Sequence, residues 1–271
     1  MKIAGMNITY RYYPFEVFLD SMAALGIEAI ELWGGAPHFY TGATSTEKIR
    51  QTKEAIRARG LELCCFTPEQ CAYSFNIAAA DAELRASSVD YFIASLHAAV
   101  ELEAPLMLVT SGLGYFSEKD DEPWQRSADS LAQIACVAER EGITLALEPL
   151  THFESNIVTD LAGLKRMQQL VGSPALKGML DTVAMHLAHE TVSQYIEELG
   201  ADFVHFHLID GDGTSDAHLA PGDGVLPLAD YLEALKQAQY TGFITLEVMS
   251  GDYVLHPHET LKRSYEYLKQ L

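Results

Sequence analysis

Short apolar segments recur at eight places along the chain, near residues 3–8, 27–33, 61–66, 105–111, 143–148, 176–181, 202–209 and 242–248. Each is four to eight residues long and bounded by Gly, Pro or polar turns, as strands buried on both faces are. Helical patterns lie between them. "PFEVFLDSMAAL" opens on Pro14 and closes on Gly26, and "STEKIRQTKEAIRARG" offers Ser45 or Thr46 as a cap and stops at Gly60. Longer patterns follow in "DAELRASSVDYFIASLHAAVELEA" and "PWQRSADSLAQIACVAEREG", then four more to the end of the chain. Eight strands, each followed by a helix, in about 270 residues specify an α/β (β/α)8 TIM barrel. An open doubly wound sheet would need fewer strands and a glycine-rich phosphate turn after the first. The run "GMNITYRYYP" carries no G-x-G-x-x-G. No linker or low-complexity segment divides the chain, so the expectation is one barrel domain over residues 1–271.

In such barrels the chemistry gathers at the C-terminal strand ends. The fifth segment, "ITLALEPLTHFESN", delivers Glu148 straight into Pro149, although an unpaired buried carboxylate costs several kcal/mol. The sixth ends in Asp181, the seventh in His207 and the eighth in Glu247. Neighbouring strands lie about 4.8 Å apart, so four such side chains can meet at one ion, which would make a carboxylate tolerable at Glu148. His205 shares the strand face of His207 but lies further from the strand end. Three carboxylates and an imidazole suit Mn²⁺, Co²⁺ or Mg²⁺ better than a thiolate-loving ion. Around this set, Glu154 in the fifth loop is placed to bond a substrate hydroxyl, and His218 in the long seventh loop to reach into the site. Trp33 and His38 end the second segment, where an aromatic ring can stack on a sugar. Glu69 lies in a mouth loop, and His186 stands before the next helix.

Charge excludes some functions. A formal net charge of −20, with only 18 Lys plus Arg, repels nucleic acid and anionic membranes. No apolar run is long enough to span a bilayer, and the N-terminus lacks a signal-peptide core, so a cytoplasmic protein is expected. Cys64, Cys65, Cys71 and Cys136 form no C-x-x-C pair and read as free, mostly buried thiols. The apolar "YFIASLHAAV" face reads as core, with a homo-oligomer left open.

With those residues in hand, the chain resembles the sugar isomerase and epimerase superfamily of xylose isomerase-like barrels, and within it the fructoselysine 3-epimerases. The likeness is carried by "IELWGGAPH" (30–38), "FTPEQCAYSFN" (66–76), "LEPLTHFESNIV" (147–158) and "HLIDGDGTSDAHLAPGDG" (207–224). It implies one divalent ion (Mn²⁺, Co²⁺, Mg²⁺, Ni²⁺ or Zn²⁺) on Glu148, Asp181, His207 and Glu247. It also implies that Glu148 and Glu247 are the acid/base pair that inverts C3 of a ketose or ketosamine through a metal-stabilised enediolate. Free-ketose 3-epimerases generally carry histidine three residues after the metal-binding aspartate. Here that position is Ala184, so the O1/O2 end of the substrate is expected to be handled differently. A free ketohexose 3-epimerase or a ketose–aldose isomerase would use the same metal set. An apurinic endonuclease would need a basic groove, and a purely binding barrel would have little use for four convergent ligands.

Overall fold

The computed structural model describes residues 1–70, 75–119 and 121–271; Cys71 and the centre of the 66–76 stretch lie outside them. The strands β1 (Lys2–Met6), β2 (Ala29–Gly34), β3 (Glu62–Pro68), β4 (Leu106–Val109), β5 (Thr144–Leu147), β6 (Leu176–Asp181), β7 (Phe203–His207) and β8 (Phe243–Leu246) close in that order into a parallel barrel. The helices around it are α1 (Phe15–Leu25), α2 (Thr46–Arg57), α3 (Ala82–Leu102), α4 (Asp121–Glu141), α5 (Leu161–Val171), α6 (Thr182–Leu187), α7 (Val192–Leu199), α8 (Leu228–Gln237) and α9 (Pro257–Leu268). The TIM barrel expected from periodicity is the fold found. Gly26 ends α1 with φ 71°, the left-handed turn that lets the chain fall straight into β2. Ser45 caps α2, and Thr191 with Gln194 forms a capping box on α7.

Two kinds of difference from the sequence reading appear, in strand bounds, which shift at β1, β2, β3, β4 and β7 as well as at β5 and β8, and in one helix. The apolar segments run to residues 148 and 248, but the strand ladders stop at Leu147 and Leu246. At β5 the reason is Pro149, which cannot donate to the ladder; Glu148 N still reaches Val109 O at 3.0 Å. The other difference is α6, a short helix that starts directly after β6, where the sequence suggested only an approach to the next long helix.

Strand alternation sorts the side chains by depth. Ala29, Glu31 and Trp33 share one face of β2; Ala146 lies below Glu148, Met179 below Asp181, His205 below His207, and Thr245 below Glu247. Besides His205 and Thr245, the lower level holds an apolar cluster of Ala4, Ala29, Cys64, Cys65, Leu108, Ala146 and Met179. Tyr91, Phe92 and Leu96 on the "YFIASLHAAV" face are buried within the single chain, between barrel and helices. Cys64 and Cys65 are buried free thiols and Cys136 is an exposed one, in line with the expectation of free, mostly buried thiols. Among the described residues no helix is long and apolar enough to cross a membrane.

The loop from 208 to 227 is organised by one buried carboxylate. Asp210 accepts from Gly211, Gly222, Gly224 and Leu226 N–H at 2.9–3.0 Å, and its backbone bridges to Leu219 in both directions. Asp210→Ala is expected to leave two buried and two part-buried donors without their acceptor and to cost about 2–4 kcal/mol, read as a lower denaturation midpoint at unchanged m. A midpoint matching the wild type would show that the loop holds itself without the carboxylate.

Candidate active site

Glu148, Asp181, His207 and Glu247 each offer a ligand atom, and these atoms all lie within 4.8 Å of one another. Local structure fixes each one. Asp181 ends β6 and caps α6: its Oδ1 accepts from Val183 N at 2.8 Å and Ala184 N at 2.9 Å. Its Oδ2 is buried with no partner. His207 is fully buried, and its Nδ1 stands 3.1 Å from Glu148 Oε1 and 2.9 Å from Glu247 Oε2 without an aligned hydrogen bond to either. Two orphaned buried atoms facing two carboxylates are what a cation-binding set looks like, and the O/N donor chemistry fits a divalent ion. Among the described residues, this is the four-membered set of that kind.

The electrostatics agree with that fit. Burial pushes Glu148 up to about 8, against the pull of His207. Asp181 is raised for the same reason, with Glu247 adding to it and His218 opposing. Burial disfavours a charge on His207, but Glu31, Glu247 and Glu148 outweigh it and hold the imidazole well above its ordinary range. Without a cation, then, the cluster takes up protons.

Beneath the set sits a residue that attention to strand ends missed. Glu31, in the middle of β2 and fully buried, meets His205 Nε2 at 2.6 Å and His207 Nε2 at 3.1 and 3.2 Å, and Thr67 donates to it as well. Burial favours its neutral form, yet His207 and His205 hold it well below the ordinary carboxylate range. Since Glu31 can only accept, His207 donates through Nε2 and turns Nδ1 toward the other three residues. The sequence held the signal: a carboxylate inside the apolar run "AIELWG", the same oddity as Glu148. Glu31→Gln is expected to weaken divalent-ion affinity about 10–100-fold with the fold intact, measured by calorimetric titration of the ion-free protein. Unchanged affinity would show that the Glu31 charge does not orient His207.

A cavity of about 110 Å³ opens above, lined by Glu148, Asp181 and Glu247 together with Trp33, Glu69, Glu154 and His218. Trp33 donates its indole N–H to Glu69 Oε2 at 2.9 Å. Glu154 is raised to about 7 by burial and by Asp216, a neighbour on the seventh loop. His218 Nε2 lies 3.9 Å from Glu247 Oε2. Its carbonyl is tied by Met249 N at 3.2 Å. Burial resists its charge, but Glu247, Asp181 and Asp216 bring it to about 8.

Two candidates lie elsewhere. His38 does not line this cavity: its ring nitrogens meet Asn7 Nδ2 at 2.9 Å and the Tyr13 carbonyl at 2.7 Å. His186 points from α6 to the Tyr231 hydroxyl at 3.2 Å, while Ala184 takes the place on the cavity wall. His38 lies in the loop after β2 and His186 on α6, and in each the local backbone turns the ring away, a direction that sequence position does not encode.

Comparison with known proteins is consistent with this arrangement. The model of the xylose isomerase-like TIM barrel family matches residues 19–271. A fructoselysine 3-epimerase of Escherichia coli O157:H7 is 30% identical over 271 residues, covering 100% of this chain and 98% of the relative. A D-psicose 3-epimerase of Ruminiclostridium cellulolyticum is 26% identical, covering 88% of this chain and 78% of the relative. The crystal structure of a 3-keto-D-glucoside 4-epimerase from E. coli superposes with a TM-score of 0.83 at 20% identity, covering 100% of both chains.

Proposed function

The chain belongs to the family of xylose isomerase-like TIM barrels, and from that membership and the geometry above we propose that it inverts C3 of a ketose or ketosamine. It is an enzyme of the sugar epimerase and isomerase class, as its matched relatives are. The observation that carries the finer reading is the convergence of Glu148, Asp181 and Glu247, which line a cavity, with the buried His207, Asp181 Oδ2 and His207 Nδ1 being unpartnered.

Held by those four residues, a divalent ion (Mn²⁺, Co²⁺, Mg²⁺, Ni²⁺ or Zn²⁺) supplies Lewis-acid stabilisation of the charge that develops on the substrate's oxygens. The chain's own residues do the rest. Glu148 follows β5 and Glu247 follows β8, so the two stand at the ends of a four-strand arc with Asp181 and His207 between them. One removes the C3 proton and the other returns a proton to the opposite face. Two acids on opposite faces invert a centre; one base moving a proton between C1 and C2 would isomerise instead. Glu154, with a pKa of about 7, both donates and accepts near neutrality and binds a substrate hydroxyl. His218 serves the end of the substrate left open by Ala184. Trp33, steadied by Glu69, offers its ring to the apolar face of the sugar. The substrate is a small molecule, and the setting a cytoplasmic one.

The test is proton exchange in D2O with the ion-reconstituted enzyme, followed by NMR on fructoselysine and, in parallel, fructose, psicose and tagatose. Deuterium entering C3 alone, with the C3 epimer appearing, is the expected result. Exchange at C3 of free ketoses only would move the substrate toward that of the psicose epimerase relative. Exchange at C1 would make the enzyme an isomerase, and no exchange with ion bound would overturn the reaction.

A further inference from the structure

Most described cations of this acidic chain are spent on carboxylates: ten of them pair with Asp or Glu side chains. Arg11 and Lys48 are not among those pairs, yet both line one open recess of about 580 Å³ together with Tyr12, Glu16, Pro37 and His38. Among the described residues Glu16 has no ion pair either. Two cations and a carboxylate thus face the same space without neutralising one another.

This recess backs onto the candidate active site. Asn7 joins the two: its side-chain oxygen accepts from Trp33 N at 2.6 Å, and its amide nitrogen meets His38 Nδ1 at 2.9 Å. Trp33 lines the inner cavity and His38 the outer recess. The Arg11 guanidinium donates to the Ile8 carbonyl at 3.5 Å, and Ile8 also lines the inner cavity. On the epimerase reading the inner space of about 110 Å³ takes the reacting carbons of the sugar, which leaves a long appendage to run outside it. Tyr12, 74% exposed with Arg11 5.2 Å from its ring centroid, supplies an aromatic wall for an alkyl stem.

We propose that this recess binds the free α-amino acid end of a ketosamine, Arg11 and Lys48 taking its carboxylate and Glu16 its ammonium. The inference rests on the epimerase reading and names the substrate class that reading leaves open. A bare anion would gain nothing from Glu16, and a bare cation nothing from Arg11 and Lys48. A zwitterion uses all three.

The experiment compares four substrates (fructoselysine, its Nα-acetyl derivative, the fructosyl adduct of butylamine, and fructose) on the ion-loaded wild type and on Arg11→Gln, Lys48→Gln and Glu16→Gln. Wild type should prefer fructoselysine. Arg11→Gln should lower its kcat/KM about tenfold or more, chiefly through KM, while the butylamine adduct is unaffected. Lys48→Gln, at an exposed position, should act in the same direction, and Glu16→Gln should erase the preference over the acetylated substrate. Equal losses on all substrates, or a wild type indifferent to the amino acid end, would overturn the proposal. Turnover of fructose without fructoselysine would overturn it and leave the epimerase reading standing. No turnover of any substrate would remove both.

Discussion

Glu148→Gln and Glu247→Gln are each expected to lower epimerisation by a factor on the order of 10² to 10⁴, the usual contribution of a positioned acid or base. The two variants should fail differently. With Glu148 replaced, Glu247 still faces one side of C3, so one epimer should go on exchanging its C3 proton with D2O without forming the other. With Glu247 replaced, the opposite epimer should behave that way. The isosteric amide keeps an oxygen that can ligate, so ion content measured on each variant separates loss of the base from loss of the ion. A Glu247→Gln enzyme that turned over normally would end the assignment, and so would variants that lost exchange from both epimers while keeping their ion.

Removing the ion should have the largest effect on stability, and the effect should grow with pH. Glu148 titrates at about 8 in the folded chain against an ordinary value of 4.5, and Asp181 and His207 are raised as well. A group raised on folding contributes stability that is complete below its unfolded value and is lost as pH climbs to its folded one. The ion-free protein should therefore lose stability between about pH 4.5 and 8. Glu31 runs the other way, since its depressed value makes its contribution present above the ordinary carboxylate range and lost only in acid. An ion displaces the protons, so its affinity rises with pH. At a hundredfold excess over Kd it should add about 2.7 kcal/mol, which for a chain of this size is a shift in Tm of roughly 5–10 °C. Melting curves with and without chelator at pH 5.5, 7 and 8.5 check this. An ion-induced shift of the same size at all three would show that the cluster does not hold protons when empty.

Much of this arrangement could be read before any coordinates. Eight apolar segments bounded by breakers leave little but a closed barrel, and a barrel tells the reader to look at strand ends, where Glu148, Asp181, His207 and Glu247 stand. What failed to come through depended on depth or direction. Glu31 lies one level below the mouth, and although its place inside an apolar run marks it, its partners His205 and His207 follow only from the way the closed barrel brings β2 and β7 together. The tie between His205 and His207 was a question of depth too, and the answer is that both bind Glu31 through Nε2 while one of them also faces the mouth. His38, in the loop after β2, and His186, on α6, sit where the sequence put them, but several residues past a strand its alternation no longer sets where a ring points, and neither faces the cavity. Helix α6 escaped notice for a related reason: Asp181 closes a strand and opens a helix in one residue, leaving no linker to read.

The clamp formed by Asp210 has an evolutionary reading. It grips Gly211 at one end of the seventh loop and Gly222, Gly224 and Leu226 at the other. The residues between, Asp216 and His218 among them, are therefore held as a cassette whose anchorage is independent of its contents. Substitutions within the cassette can reshape the wall over the sugar while the barrel and the four convergent side chains stay as they are. New substrate preferences in barrels of this kind can then arise by exchanging one stretch of about ten residues, and a laboratory seeking a different sugar could graft there first.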